Sequence, residues 1–332
     1  MRRVLPQAAA PVVLVLVAAL LGEAASAATQ VYFIEALVSV VIVVGLYVFI
    51  GNTGVLSFGH ISFVALGAWT AGVLAVPVAE KPATMPNVAG FLRHTTIGNV
   101  PSLALAALAG AVFALVVGLP LMRLSGLAAG IATFAVLEIT NNILQYYEKI
   151  GPGQNTFSAV PETTGLWQAA VGALLAIAVA FAYQRSRFGR MLRATREDPA
   201  AAAAAGISIY RQRLGAFVLS GLVAGFAGGL EVHLLPLSYR DVYLDLTFVT
   251  LAMLVIGGAS SLWGAVVGAL AISALDSFLA SAENGVSIFS GSIDLPSGTR
   301  VIVEGVLMAL VLIARPSGLT GGREFSLRWL RR

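Results

Sequence analysis

Few side chains in this sequence stand where they could do chemistry. Glu35, Glu138, Asp276 and Glu304 lie in or near long apolar runs, and His60 stands at the start of another. Such groups could form the proton relay of a secondary transporter. They could instead cap helix ends, pair with neighbours or face a wet interior between helices. A charge at the centre of a membrane span costs roughly 2.5–3.5 kcal/mol, so each needs a physical reason. No two of them share one run at helical spacing and there is no acidic pair, which favours the second reading. His60, His94 and His233 are too scattered to predict a metal site, and no Ser–His–acid set is legible. No Gly-x-x-x-x-Gly-Lys-[Ser/Thr] phosphate loop is present. With no cysteine there is neither a disulfide framework nor a thiolate site.

The elements that position these residues follow from composition. Of 332 residues, 58% are hydrophobic and 11% charged, less than half the share of about 25% that coats a soluble domain. With a mean hydropathy of +0.90, the chain reads as a polytopic membrane protein. Apolar runs near the length of about 20 residues that a helix needs to cross the hydrocarbon recur, whereas a barrel strand alternates over about ten. The expected fold is therefore all-α, a transmembrane bundle forming a single domain over 1–332. About ten spans are predicted, over 11–21, 31–50, 61–76, 103–121, 127–147, 166–183, 214–235, 248–262, 265–279 and 301–313. The eighth and ninth are separated only by Trp263-Gly264. The first run, with Arg2 and Arg3 before it and Ala25-Ser26-Ala27 after it, fits either a retained helix or a cleaved signal peptide.

The sequence pI of 9.6 reflects topology rather than nucleic-acid binding. Most Lys and Arg residues fall at Arg2 and Arg3, within 185–213 and within 315–332. By the positive-inside rule these three segments share the cytoplasm, so both termini and the loop 184–213 are predicted to lie there. The loops assigned to the other side hold only Lys81, Arg93, Lys149, Arg240 and Arg300.

The loop 184–213 is the most informative stretch. Asp198 is a good N-cap, Pro199 suits the first helical position, and Ala200 to Ala205 are the strongest helix formers. Gly206 can close the helix in a left-handed conformation. A capped helix of under two turns, apolar and flanked by arginines, is shaped either to dock into a partner or merely to join two spans.

Arg187-Phe188-Gly189-Arg190, Arg196-Glu197-Asp198-Pro199, Ala201-Ala202 and Gly206-Ile207 together resemble the coupling loop of binding-protein-dependent ABC importer permeases. More narrowly, the chain resembles the M-type subunit of the branched-chain amino-acid permease family. Gly54-Val55-Leu56-Ser57-Phe58-Gly59-His60, Gly257-Gly258 through Trp263-Gly264, and Arg315-Pro316-Ser317-Gly318-Leu319 extend the likeness across nearly the whole chain. One position departs: Ala200 stands where importer permeases often carry a glutamate.

The resemblance implies a permease of the branched-chain amino acid/ribose type in a bacterial inner membrane. Its implied partners are a sister permease subunit, two cytoplasmic ATP-binding subunits that bind the ATP, an extracytoplasmic substrate-binding protein and membrane lipid. It implies no cofactor in this chain and no activity as an enzyme. The coupling residues would be Arg193, Arg196, Asp198, Pro199, Ala201, Ala202 and Gly206, and Ala202→Glu is expected to stop uptake without preventing insertion. Asn52, Ser57 and His60, around an expected chain bend, are candidates for the translocation path. The plainer reading is that Gly51, Gly54 and Gly59 let helices pack closely and His60 satisfies a buried carbonyl. Urea, short amides or sugars are alternative cargoes.

Overall fold

The computed structural model describes residues 5–283, 286–288, 291–293, 296, 298–315 and 317–325. Arg2, Arg3, Pro316, Arg328, Arg331 and Arg332 lie outside the described residues, as does the side chain of Glu304. The first helices are α1 (Leu5–Ala24), α2 (Ala27–Thr53) and α3 (Ile61–Ala75), followed by single turns α4 (Lys81–Thr84) and α5 (Gly90–Arg93). Next come α6 (Asn99–Leu121), α7 (Gly126–Tyr146), α8 (Leu166–Arg185), α9 (Arg187–Glu197) and α10 (Pro199–Ala204). The chain continues through α11 (Ile209–Val232), α12 (Leu244–Gly257), α13 (Leu262–Glu283) and α14 (Thr299–Ala314). Between α13 and α14 a small antiparallel hairpin pairs β1 (Val286–Ile288) with β2 (Gly291–Ile293), Ser287 opposite Ser292.

Each of the ten expected apolar runs is helical, but they are not ten equal crossings. Seven helices are long and apolar enough to span a membrane: α1, α2, α6, α7, α8, α11 and α13. Helices α3, α12 and α14 have 15, 14 and 16 residues, or about 21–24 Å against a hydrocarbon thickness of about 30 Å. Glycines set two of these short lengths. Gly54 closes α2 with φ of +70° and leaves 54–60 non-helical before α3; Gly258, with φ of +121°, ends α12. The second break therefore falls at 258–261, not at Trp263-Gly264, which lie inside α13. Ser261 makes this register work, its hydroxyl accepting from the Gly264 amide at 3.0 Å in the first turn of α13.

Helices α2 and α11 form the core. α2 is apolar on every side and is buried almost continuously from Ala36 to Thr53, as an all-round apolar helix must be. It packs against α8, α11 and α13. α11 packs against α6 and α3 through small residues. A Cβ on Gly110 would strike the Gly221 carbonyl, one on Gly67 the Gly225 carbonyl, and one on Gly228 the Val64 carbonyl. Such small-residue contacts replace the hydrophobic drive that lipid cannot supply.

Candidate coupling site at the α9 and α10 end of the bundle

The loop 184–213 is mostly helical, and α9 is the part the sequence reading left without structure. Ser186 caps it, its hydroxyl accepting from the Gly189 amide at 3.1 Å. Gly189, Leu192 and Thr195 turn inward at helical spacing, while Arg187, Phe188 and Arg190 face outward. Gly189 is pressed against the Tyr183 carbonyl, where a Cβ would not fit.

Arg190, Arg193 and Arg196 recur every third residue along α9, and each reaches the end of another helix. The last carbonyls of a helix lack partners within it, and positive charge there is favoured by the helix dipole. Arg190 donates to the Arg185 carbonyl. Arg193 donates to the Gln184 carbonyl at 2.8 Å and, at 3.4 Å, to the Asn52 side chain. Arg196 donates to the Gly51 carbonyl at 2.7 Å. Helix α9 thus clasps the C-termini of α8 and α2.

Helix α10 follows its expected capping. The Asp198 carboxylate accepts from the Ala201 amide at 3.0 Å, and Pro199 occupies the first turn. Gly206 has φ of +79°, and the Ile207 amide donates back to the Ala202 carbonyl at 3.0 Å. Ala202 does not behave as an outward-facing alanine. It is 5% exposed, packed inward where α10 meets α9 and α11, whereas Ala200, Ala201, Ala203, Ala204 and Ala205 are exposed. Ala202→Glu therefore disturbs the loop's own packing, and an exposed alanine is the better probe of the outer face.

The other recognised segments converge on the same end. A Cβ on Gly54 would lie 3.3 Å from the Arg196 side chain, and one on Gly51 would lie 2.7 Å from the Ala259 carbonyl of the α12–α13 turn. The segment after α14 folds onto that turn. The Leu319 amide donates to the Ile256 carbonyl at 2.7 Å, the Thr320 hydroxyl to Gly257 at 2.8 Å and the Ser260 hydroxyl to Gly322 at 3.0 Å. Glu324, which the sequence reading missed, accepts from the Leu262 amide and from the Gln184 side chain, each at 2.9 Å. Its carboxylate thereby serves the free N–H groups at the start of α13. No local pattern marked Glu324, because its partners are about 60 and 140 positions away along the chain.

Asn52, Ser57 and His60 sit beside this node, and all three are buried. The Asn52 amide donates to the Val48 carbonyl at 3.0 Å. His60 Nδ1 and the Ser57 hydroxyl share a hydrogen bond of 2.8 Å, so the partner of His60 is a hydroxyl. The ring of His60 lies 5.5 Å from each of Phe49, Phe63 and Phe217. The bend itself is packed on α7: the Phe58 amide donates to the Thr133 hydroxyl at 3.1 Å, and Gly59 abuts the Thr133 carbonyl. A cleft of about 440 Å³ between α1, α2 and α13 and another of about 430 Å³ along α7 do not include these three residues.

Two of the intramembrane acids, far apart in sequence, approach in space: Glu35 lies within electrostatic reach of Asp276 and Arg300. Asp276 pairs with Arg300 at 2.8 Å, and Glu138 accepts from Tyr243 and Asn142. Among the described residues, no three His, Cys, Asp or Glu side chains are grouped to hold a metal.

The chain is 26% identical over 321 residues to the high-affinity branched-chain amino acid transport system permease protein LivM of Salmonella typhimurium, covering 85% of this chain and 68% of that protein. The protein of the same description from Escherichia coli K12 matches with the same identity and coverage. A xylose transport system permease protein, XylH of Haemophilus influenzae, is 31% identical over 150 residues, 42% of this chain and 36% of its own. No solved structure matches the chain. The profile of the family described as "Branched-chain amino acid transport system / permease component" matches residues 28–314. On that match, spanning nearly the whole helical bundle, the chain is a multi-pass membrane protein and belongs to this family of ABC importer permeases.

Proposed function

We propose that the chain is the M-type permease subunit of an ABC importer for branched-chain amino acids. The observation that carries this is a similarity to LivM permeases that runs through 85% of the chain. In this reading 184–213 is the cytoplasmic coupling loop and both termini are cytoplasmic. A sister permease completes the pathway, two separate subunits bind and hydrolyse ATP, and an extracytoplasmic binding protein selects the cargo. The outward face of α10, formed by Ala200, Ala203 and Ala204 opposite the buried Ala202, seats in the ATP-binding subunit. Arg193 and Arg196 make α9 move with α2 and α8, so closure of the ATP-binding subunits acts on the central helix rather than on a slack connector.

The test is uptake by the complete importer in proteoliposomes loaded with ATP. Leucine, isoleucine or valine should accumulate when presented with the binding protein, and a proton gradient without ATP should drive nothing. Xylose is the informative competitor, since the sugar permeases match 42% of the chain. Accumulation of xylose instead of leucine would replace the cargo while leaving the permease assignment intact.

A further inference from the structure

Helix α7 is a span whose uncovered face is charged near its middle. Glu138 is exposed, although in a membrane a carboxylate cannot face lipid without a large cost. Its oxygens are held by neutral donors only: the Asn142 side chain donates at 2.8 Å, and the Tyr243 hydroxyl, from the segment leading into α12, also donates. Among the described residues, Glu138 has no cationic partner. The open cleft of about 430 Å³ on this face is lined by Glu138, Ile139, Asn142, Ile143, Tyr146 and Tyr147. Isoleucine and tyrosine side chains thus flank one oriented carboxylate on an open face.

We infer that this face of α7 lines the translocation path and that Glu138 receives the ammonium group of the amino acid in transit. The inference rests on the amino-acid cargo proposed above. A carboxyl group in a span marks a water-filled route or a partner, and the geometry supplies what a zwitterion's ammonium requires. Glu138 provides charge, Asn142 and Tyr243 fix its orientation, and Ile139 and Ile143 lie beside an aliphatic side chain. Tyr243 acts as a positioning residue through Glu138.

The chain contains no cysteine, so single cysteines can be introduced without altering a native thiol. In the complete importer, Glu138→Cys and Asn142→Cys should react with a cationic, membrane-impermeant methanethiosulfonate about tenfold or more faster than Val112→Cys and Val116→Cys on the exposed apolar face of α6. Equal rates at the α7 and α6 positions would overturn the path. Glu138→Gln should raise the KM for leucine about tenfold, as expected from losing a hydrogen bond to a charged group, with Glu138→Asp restoring much of it. An unchanged KM would overturn the ammonium contact even if both cysteines label. Tyr243→Phe should raise KM less and leave the labelling pattern as it was.

An aminophospholipid could supply the same ammonium. Identical uptake in vesicles of phosphatidylcholine with and without phosphatidylethanolamine supports the solute. A requirement for phosphatidylethanolamine that Glu138→Gln abolishes overturns it. Failure of the wild-type importer to move any amino acid would refute the cargo assignment, and the labelling comparison would still decide whether α7 lines a path.

Discussion

The two ends of the bundle solve one problem with different chemistry. Where helices stop, main-chain groups lose their partners and something else must satisfy them. At the α9 end the answer is charge on long side chains: Arg193 and Arg196 on the carbonyls of α8 and α2, and Glu324 on the amides of α13. At the opposite end the answer is buried. Lys81 is fully buried, and its Nζ donates to the Leu92 and Thr95 carbonyls at 2.6 Å each. His233, also buried, joins α11 to α6 and to the 161–164 segment. Its Nε2 meets the Ser102 hydroxyl at 2.9 Å and its Nδ1 the Pro161 carbonyl at 3.0 Å. The main-chain oxygen of His233 accepts from Thr163 and Thr164 at 3.0 and 3.1 Å. At the α9 end the bonding side chains stay partly exposed, whereas at the other Lys81 and His233 are shut inside the protein.

The sharpest way to break the buried end is Lys81→Met. It removes two charge-assisted hydrogen bonds and leaves their acceptors without a donor, so a loss of about 3 kcal/mol is expected. Thermal unfolding of the detergent-solubilised protein should show it, and an unchanged midpoint would mean that α4 and α5 are held by other contacts. Arg196→Ala should cost less stability, about 1.5–2 kcal/mol, because one carbonyl is stranded. Its stronger effect should be mechanical: ATP hydrolysis persists while uptake falls, a separation that Lys81→Met should not produce.

His233 offers a pH test of the same contrast. Burial holds its imidazole below the usual range, the Pro161 carbonyl opposing this more weakly. The folded chain therefore takes up the proton less readily than the unfolded chain. The stability linked to His233 is fully present above the ordinary imidazole range and is lost as pH falls toward the lowered folded value. Melting temperatures measured from about pH 7.5 down to about pH 5 should decline more steeply in the wild type than in His233→Gln. Parallel curves would remove His233 as the cause.

The smallest effect on stability should come from Ala203→Glu on the exposed face of α10, within about 0.5 kcal/mol for a surface position. If that face seats in the ATP-binding subunit, uptake should nonetheless collapse at normal expression. Normal uptake would leave α10 a simple connector between α9 and α11.

Much of this was legible along the chain because it depends on near neighbours. The ten apolar runs, the Asp198 cap, Pro199 in the first turn and the left-handed Gly206 all follow from residues within a few positions of one another. The face of α10 that turns inward was not legible. A polyalanine helix has no amphipathic mark, so the burial of Ala202 depends on where α9 and α11 lie. The break between α12 and α13 was misplaced for a similar reason. Gly258 and Gly264 look alike in sequence, and the contacts of Gly258 with Ser317 and Thr320, after α14, set it apart.

By itself the sequence determined the membrane class, the helical character and the grouping of basic charge, since each is a sum over composition or a short periodic pattern. Tertiary structure alone decided which polar groups distant in sequence meet. Arg196 reaches Gly51 across 145 positions and Glu324 reaches Gln184 across 140, distances at which local propensity carries no information. It also decided that His60 lies against three phenylalanines while Glu138 remains uncovered. Both stood in the sequence as isolated polar residues beside apolar runs. Only helix packing, governed by glycine contacts such as Gly110 with Gly221, settles which side of each helix is closed by protein and which remains open.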